Sequence, residues 1–337
     1  MSVTIYDIAK EAGVSPSTVS LTMNNSSKIK EETKKYVREV AKRMGYTPNY
    51  AARSLINNRS FTIGVVVPNL TNPFFTATLS EIVHTANDYG YNIMLGSSEQ
   101  SIDKERNYIE MLSEQRVDGI VLFPSFLKEL FPDFIKGKDD ATIPLVLCGS
   151  STTSSDNITF VKCDNHMGGY LATEHLIKCG KKRIACLCAV KEKSQALSRI
   201  AGYRDAHEFL GLTYDKNLIC FCQNEPDDIF ASTISLIKEH NVDAFFCLFD
   251  DMCLPVIRAV QSLGKSIPDD IAIVGYDNID SSSRLPITLT SIDTHSRTIG
   301  SMAIKQLINK IENPTSEVRK IILKPELVIR ESTVKNT

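Results

Sequence analysis

Two hydrophobic rhythms follow one another along the chain, and they change near residue 61. In the first stretch apolar residues recur at helical spacing. Val37, Val40, Ala41 and Met44 form an i, i+3, i+4, i+7 stripe, which predicts a helix over about Glu31–Met44 closed by Gly45. Upstream, Thr4 can cap a helix over Ile5–Ala12, with Asp7 favouring its positive end. Gly13 supplies a turn, Ser15 caps a second helix, and Pro16 fills its first turn, where a missing N–H costs nothing. A helix, a glycine turn and a second capped helix make a helix-turn-helix unit. Pro48 separates this unit from residues 49–60. Ala51, Ala52 and Leu55 favour a helix there, but so short a segment does not hold one alone in water. It is expected to act as a hinge that orders on binding.

From Phe61 the pattern alternates. Short apolar runs at Ile63–Val67, Asn92–Leu95, Gly119–Phe123 and Leu145–Cys148 are followed by a second series at Ile184–Val190, Ala244–Leu248 and Ile271–Tyr276. Amphipathic segments lie between them, among them Phe74–Tyr89, Met167–Cys179, Ser198–Leu210 and Cys253–Leu263. Repeated strand–helix units predict doubly wound parallel sheets covered by helices on both faces. Two series predict two lobes. The expected organisation is a head over 1–48, a hinge over 49–60, a first lobe over 61–161 and 292–322, a second lobe over 162–291 and 323–332, and a tail over 333–337. Ligands of such folds sit in the crevice beyond the carboxyl ends of the strands.

Charge sharpens this division. The whole chain of 337 residues has a net charge of −2. Residues 1–60 nevertheless hold ten Lys and Arg against five Asp and Glu. A basic head on an acidic body is expected to meet a polyanion. The start, MSVTIYDIAKEAG, reads as neither a secretory signal nor a transit peptide, and no run reaches the roughly 20 apolar residues of a membrane span. The nine cysteines then read as reduced cytosolic thiols. Cys186/Cys188 and Cys220/Cys222 have C-x-C spacing within apparent strands, but no second ligand pair sits at zinc spacing, so buried packing is expected for them and no metal or cofactor is implied.

Catalytic patterns fail in turn. Gly264-Lys265-Ser266 has Ala259 where a phosphate loop needs glycine, and it follows a helix. No glycine-rich dinucleotide fingerprint follows the first strand. Glu174-His175 and His207-Glu208 lack the second histidine of a metalloprotease helix, and no G-x-S-x-G elbow is present. The reading is not an enzyme.

The run Ile5 to Ser20, IYDIAKEAGVSPSTVS, resembles the head of the LacI/GalR family of bacterial transcription regulators. So do Asn24-Asn25, Tyr46-Thr-Pro-Asn49 and Ala52-Arg-Ser-Leu55. The likeness continues in family order through Ile63-Gly-Val-Val-Val-Pro68, Asn72-Pro-Phe-Phe75, Val117-Asp-Gly-Ile120, Gly202-Tyr203, Gly275-Tyr-Asp-Asn278 and Leu289-Thr-Ser-Ile292. It implies a homodimer on a pseudo-palindromic operator and a two-lobed core related to periplasmic sugar-binding proteins. Ligand in the interlobe cleft would set the spacing of the two heads.

The resemblance also distributes roles. Pro16, Ser17 and Leu21 would face the major groove. Leu21 stands where many members carry Arg or His, so it would contact a thymine methyl or else pack into the head. Leu55 matches a minor-groove wedge that kinks the duplex. Tyr6, Ser15, Thr18, Ser20, Asn24, Tyr46, Asn49 and Arg53 are candidate backbone contacts. In the cleft, Asn72, Phe74, Phe75, Gln195, Arg199, Phe249 and Asp277 are candidate effector contacts, with Arg199 as the clamp and Asp277 as an acceptor of hydroxyls or amines. The alternatives are a salt bridge between the lobes for Arg199 and Asp277, and lobe core for Phe74 and Phe75. Phe249 and Gly149 replace polar residues of many members and make the cleft less polar. A sugar or sugar derivative ranks first as effector, and a nucleoside second. Control by a phosphorylated protein partner is the alternative within the family. A sugar-binding module without DNA is the alternative outside it.

Overall fold

The computed structural model describes residues 3–23, 26, 28–46, 59–124, 143–150, 158–188, 194–223 and 225–334. Nearly all of the expected hinge, with Asn49, Arg53 and Leu55, lies outside them, as does Asn24. The chain divides into Met1–Ser60 and Phe61–Thr337. No described helix is long and apolar enough to cross a membrane.

In the head, α1 (Ile5–Ala12), α2 (Pro16–Met23) and α3 (Glu31–Arg43) close around Ile8, Ala9, Ala12, Val19, Val37, Val40 and Ala41. Thr4 and Asp7 form a reciprocal cap on α1. The Thr4 hydroxyl accepts from the Asp7 N–H at 3.4 Å, and the Asp7 carboxylate accepts from the Thr4 N–H at 2.9 Å. Gly13 ends α1 at φ 65°, a left-handed turn that a side chain would strain. Glu31 and Glu32 in the first turn of α3 and Lys42 and Arg43 in its last suit the helix dipole.

The body contains two six-stranded sheets. The first comprises β1 (Thr62–Val67), β2 (Asn92–Ser97), β3 (Gly119–Leu122), β4 (Leu145–Cys148), β5 (Thr159–Cys163) and β11 (Lys320–Leu323), in the order β2-β1-β3-β4-β5-β11. The second comprises β6 (Ile184–Cys188), β7 (Ile219–Phe221), β8 (Ala244–Cys247), β9 (Ala272–Tyr276), β10 (Thr290–Asp293) and β12 (Glu326–Val328), in the order β7-β6-β8-β9-β10-β12. The two orders repeat one winding. Pairing is parallel except at the edge, where β12 runs antiparallel to β10 with Val328 opposite Ser291, so the second sheet is not wholly parallel as expected.

Alternation of side chains gives each sheet two apolar faces. In the first lobe Ile63, Val65 and Val67 meet α4 (Pro73–Asp88) and α10 (Ser296–Glu312), while Val66 meets the α5 side (Ile102–Glu114). In the second, Leu187, Phe245 and Ile273 meet α8 (Pro226–His240) and α9 (Cys253–Ser262). Cys186, Phe246 and Val274 meet α6 (Asn165–Lys178) and α7 (Ser194–Phe209). Each such fully buried aliphatic side chain contributes about 1.5–3 kcal/mol.

The chain passes between the sheets three times, after Cys163, after Asp293 and after Leu323. Strands β5 and β10 complete their pairing before the chain crosses. Short β5 and β10 are absent from the expected strands, because polar residues interrupt their apolar runs, whereas β7 takes in Cys220 of an apparent strand. Cys222 lies just past β7 and not within it. Cys179 is exposed, Cys220 half-buried and the other seven cysteines buried.

Candidate functional site

Two surfaces carry the chemistry, one in each unit. In the head, Val19 and Thr22 turn α2 inward. At 100° per residue, Ser17 and Leu21 then fall on the opposite face. Ser15, Pro16 and Ser17 are exposed, and Thr18, Ser20 and Leu21 half-buried. Leu21 does not belong to the head's core cluster. The Ser15 hydroxyl accepts from the Thr18 N–H at 3.1 Å and lies 2.9 Å from the Thr18 hydroxyl, so these two side chains are engaged in holding the helix start. Tyr6 is 74% exposed. Tyr46 packs half-buried against the head's core.

In the body, a cavity of about 130 Å³ opens where the strands of both sheets end. All seven expected effector residues line it. Asn72 accepts from the Phe74 N–H at 2.8 Å, capping α4 and fixing the chain that presents Phe74 and Phe75. Their rings meet edge to face at 5.2 Å, and Phe75 meets Phe123 at 5.5 Å. Both also pack on the first lobe's core, so each ring serves the cavity and the core together.

Arg199 is buried on α7. Its Nε donates to Asn165 Oδ1 at 2.9 Å, one Nη donates to the Leu248 carbonyl, and the other approaches Asp277 Oδ1 at 3.4 Å. The guanidinium lies 3.5 Å from the Tyr276 ring centroid and 4.9 Å from that of Phe249. Arg199 and Asp277 do pair, but both belong to the second lobe. The expected alternative of a bridge between lobes is therefore corrected. A polar link across the cleft comes from Gln195, whose Nε2 donates to the Gly149 carbonyl at 2.8 Å. Gly149 sits at φ 72°, a conformation that would strain any side chain there.

Burial pushes the Asp277 carboxyl up to about 6, against the pull of Arg199. Asp250, beside the cavity, is pushed up to about 7 by burial, against donation from Ser282 and Ser291. It accepts from the Ile279 N–H at 3.0 Å and from the Ser282 and Ser291 hydroxyls at 2.7 Å each, which ties down the loop after Asp277. Gly275 makes room for this, since a Cβ there would lie 2.0 Å from Asp250 Oδ1. Close helix packing sets Arg199 itself. A Cβ on Gly169 would meet the Arg199 carbonyl at 2.0 Å, and one on Gly202 the His166 carbonyl at 1.9 Å.

The cavity is also lined by Gln100, Asn165, Asp251 and Thr294, which sequence reasoning missed. Each follows the carboxyl end of a strand, and that position was the signal that could have found them. No group of three or more metal-ligating side chains occurs among the described residues.

A helix-turn-helix head followed by a two-lobed ligand-binding body defines a ligand-responsive, DNA-binding regulator. The comparisons agree. Residues 4–49 match "Bacterial regulatory proteins, lacI family", and residues 60–331 match "Periplasmic binding proteins and sugar binding domain of LacI family". The chain is 34% identical over 335 residues to the HTH-type transcriptional repressor PurR of Photobacterium profundum, covering 98% of each. The transcriptional regulator CelR in complex with cellobiose superposes with a TM-score of 0.74 at 27% identity, over 98% of this chain and 99% of CelR. The lac repressor dimer bound to operator and the anti-inducer ONPF shares the fold at a TM-score of 0.83 and 23% identity, over 99% of this chain and 100% of that one. The chain belongs to the LacI family. It is a DNA-binding transcription regulator with a small-molecule effector, and its relatives are repressors and not enzymes.

Proposed function

We propose that the chain represses transcription as a homodimer, with Ser17 and Leu21 reading the major groove and the cavity around Arg199 and Asp277 taking the effector. The observation that carries this reading is the convergence of Asn72, Phe74, Phe75, Gln195, Arg199, Phe249 and Asp277 on one cavity. Ser17 and Leu21 lie opposite the buried face of α2, which supports their role as readers. Pro16 faces the major groove beside them, Tyr6, Ser15, Thr18, Ser20 and Tyr46 are taken as phosphate contacts, and Asn24, Asn49, Arg53 and Leu55 complete the interface.

The effector is a sugar or sugar derivative first, a reading supported by cellobiose in CelR. A nucleoside comes second, supported by the ring faces of Phe74, Phe75 and Phe249. Leu95 of β2 and Val83 of α4, 44% and 41% exposed at the edge of the first sheet, support that edge as the surface for a second copy of the chain. The site of action is the bacterial cytoplasm, at the nucleoid.

Selection of genomic fragments by the full-length chain at physiological salt tests the head. A recurring pseudo-palindrome, bound with affinity that falls steeply as salt rises, is expected. Equal affinity for every duplex overturns it. Leu55→Ala is expected to weaken operator binding and spare effector binding, and Arg199→Ala to do the reverse. Loss of both activities in both variants overturns the separation of the two sites.

A further inference from the structure

The two walls of the cleft differ in charge. Among the described lining residues Arg199 is the single cation, against the carboxylates of Asp251 and Asp277. That cation is largely spent. Three of a guanidinium's five N–H donors go to Asn165, the Leu248 carbonyl and Asp277. One face of its plane is close against Tyr276. The acceptor side is not spent in the same way. Asp251 is exposed at the cavity, one residue past the buried Asp250. Its charge and that of Asp293 both act on Asp277. Thr294 also lines the cavity, is only 2% exposed, and its hydroxyl has no protein partner. A buried hydroxyl without a partner is destabilising unless something satisfies it. Phe74, Phe75 and Phe249 add ring faces, which attract cations and repel anions.

Resting on the assignment of this cavity as the effector site, we propose that it selects an amine-bearing effector over phosphorylated or carboxylated compounds of the same framework, and that Asp251 is the residue that enforces the choice. A carboxylate exposed on this wall accepts from a ligand ammonium and repels a ligand phosphate. Asp250 is unsuited to this, because its oxygens are occupied by Ile279, Ser282 and Ser291.

The test is calorimetric titration of the full-length chain with matched sets: glucose, glucosamine and glucose 6-phosphate; and galactose, galactosamine and galactose 6-phosphate. In at least one set the amine member is expected to bind at least tenfold more tightly than the phosphorylated member. Asp251→Asn is expected to narrow that ratio at least fivefold. Phosphorylated members that bind as well as their amine counterparts, an unchanged ratio in Asp251→Asn, or no amine member binding below millimolar concentration would each overturn the proposal. Arg199→Ala separates this from the parent reading. Binding that survives in Arg199→Ala places the ligand elsewhere and overturns the cavity assignment itself.

Discussion

The first lobe meets the cleft with Phe74, Phe75 and the capped start of α4. The second meets it with Arg199, Asp277 and Asp251. Both sheets are wound in the same order, so the difference does not come from topology. It comes from what each lobe places after its strand ends. In the first lobe the aromatic wall is an extension of the core, held by dispersion and burial. In the second lobe charged groups are held by mutual pairing, by α6–α7 contact and by the Asp250 hub. An apolar wall tolerates adjustment, whereas a buried ion pair left with one partner does not.

That contrast predicts a ranking. Arg199→Ala removes the partner of a buried carboxylate and is expected to cost about 3–5 kcal/mol, read by urea unfolding of the body. A loss below about 1 kcal/mol would show that the second lobe does not depend on the pair. Next comes glycine replacement, compared between lobes. In Gly202→Ala the new Cβ meets the His166 backbone carbonyl, which has no rotamer to escape through. In Gly64→Ala the nearest atom, at 2.6 Å, is the end of the flexible Leu112 side chain. The second-lobe change is expected to cost about 1–3 kcal/mol and the first-lobe change less. Equal melting-temperature losses would remove the distinction.

Asp250 sharpens the comparison through pH. Its folded pKa lies above the ordinary 3.8, so the protonated carboxyl is the favoured form. Its contribution to stability is then fully present below about 4 and lost as pH rises through about 7. Relative to the wild type, Asp250→Asn is expected to gain stability as pH rises between those values. A difference that stays flat with pH would show that Asp250 is ionised throughout. The smallest effect is expected from Gln195→Ala, which removes the link to Gly149. It should cost about 0.5–1.5 kcal/mol in unfolding and be accompanied by a changed lobe angle in solution scattering. No change in either would show that the link is dispensable.

Most of the fold is legible in the chain because its signals are local. The Thr4–Asp7 cap, the Gly13 turn and the Pro16 start each act within a few residues, and α1 and α2 lie where they indicate. The central strands of both lobes are legible because burial on both faces makes them continuous apolar runs. Strands β5 and β10 are not, since each is short and takes its pairing from neighbours distant in sequence. The cleft was legible to the extent that family resemblance named its residues. Asn165, Asp251 and Thr294 escaped because nothing local distinguishes them from helix caps and surface polar residues.

What the sequence by itself determined is the order of parts: a basic helix-turn-helix head, then two wound lobes, with the candidate aromatic and charged residues after particular strands. Propensity, capping and periodicity are properties of neighbouring residues, so they can be read in one dimension. The tertiary structure alone decided which lobe holds each charge, that Arg199 and Asp277 pair within the second lobe, and that Gln195 reaches across to Gly149. It also decided the protonation preferences of Asp250 and Asp277. Those outcomes depend on desolvation and on close approach between segments far apart in the chain, and both arise only when the sheets and helices pack.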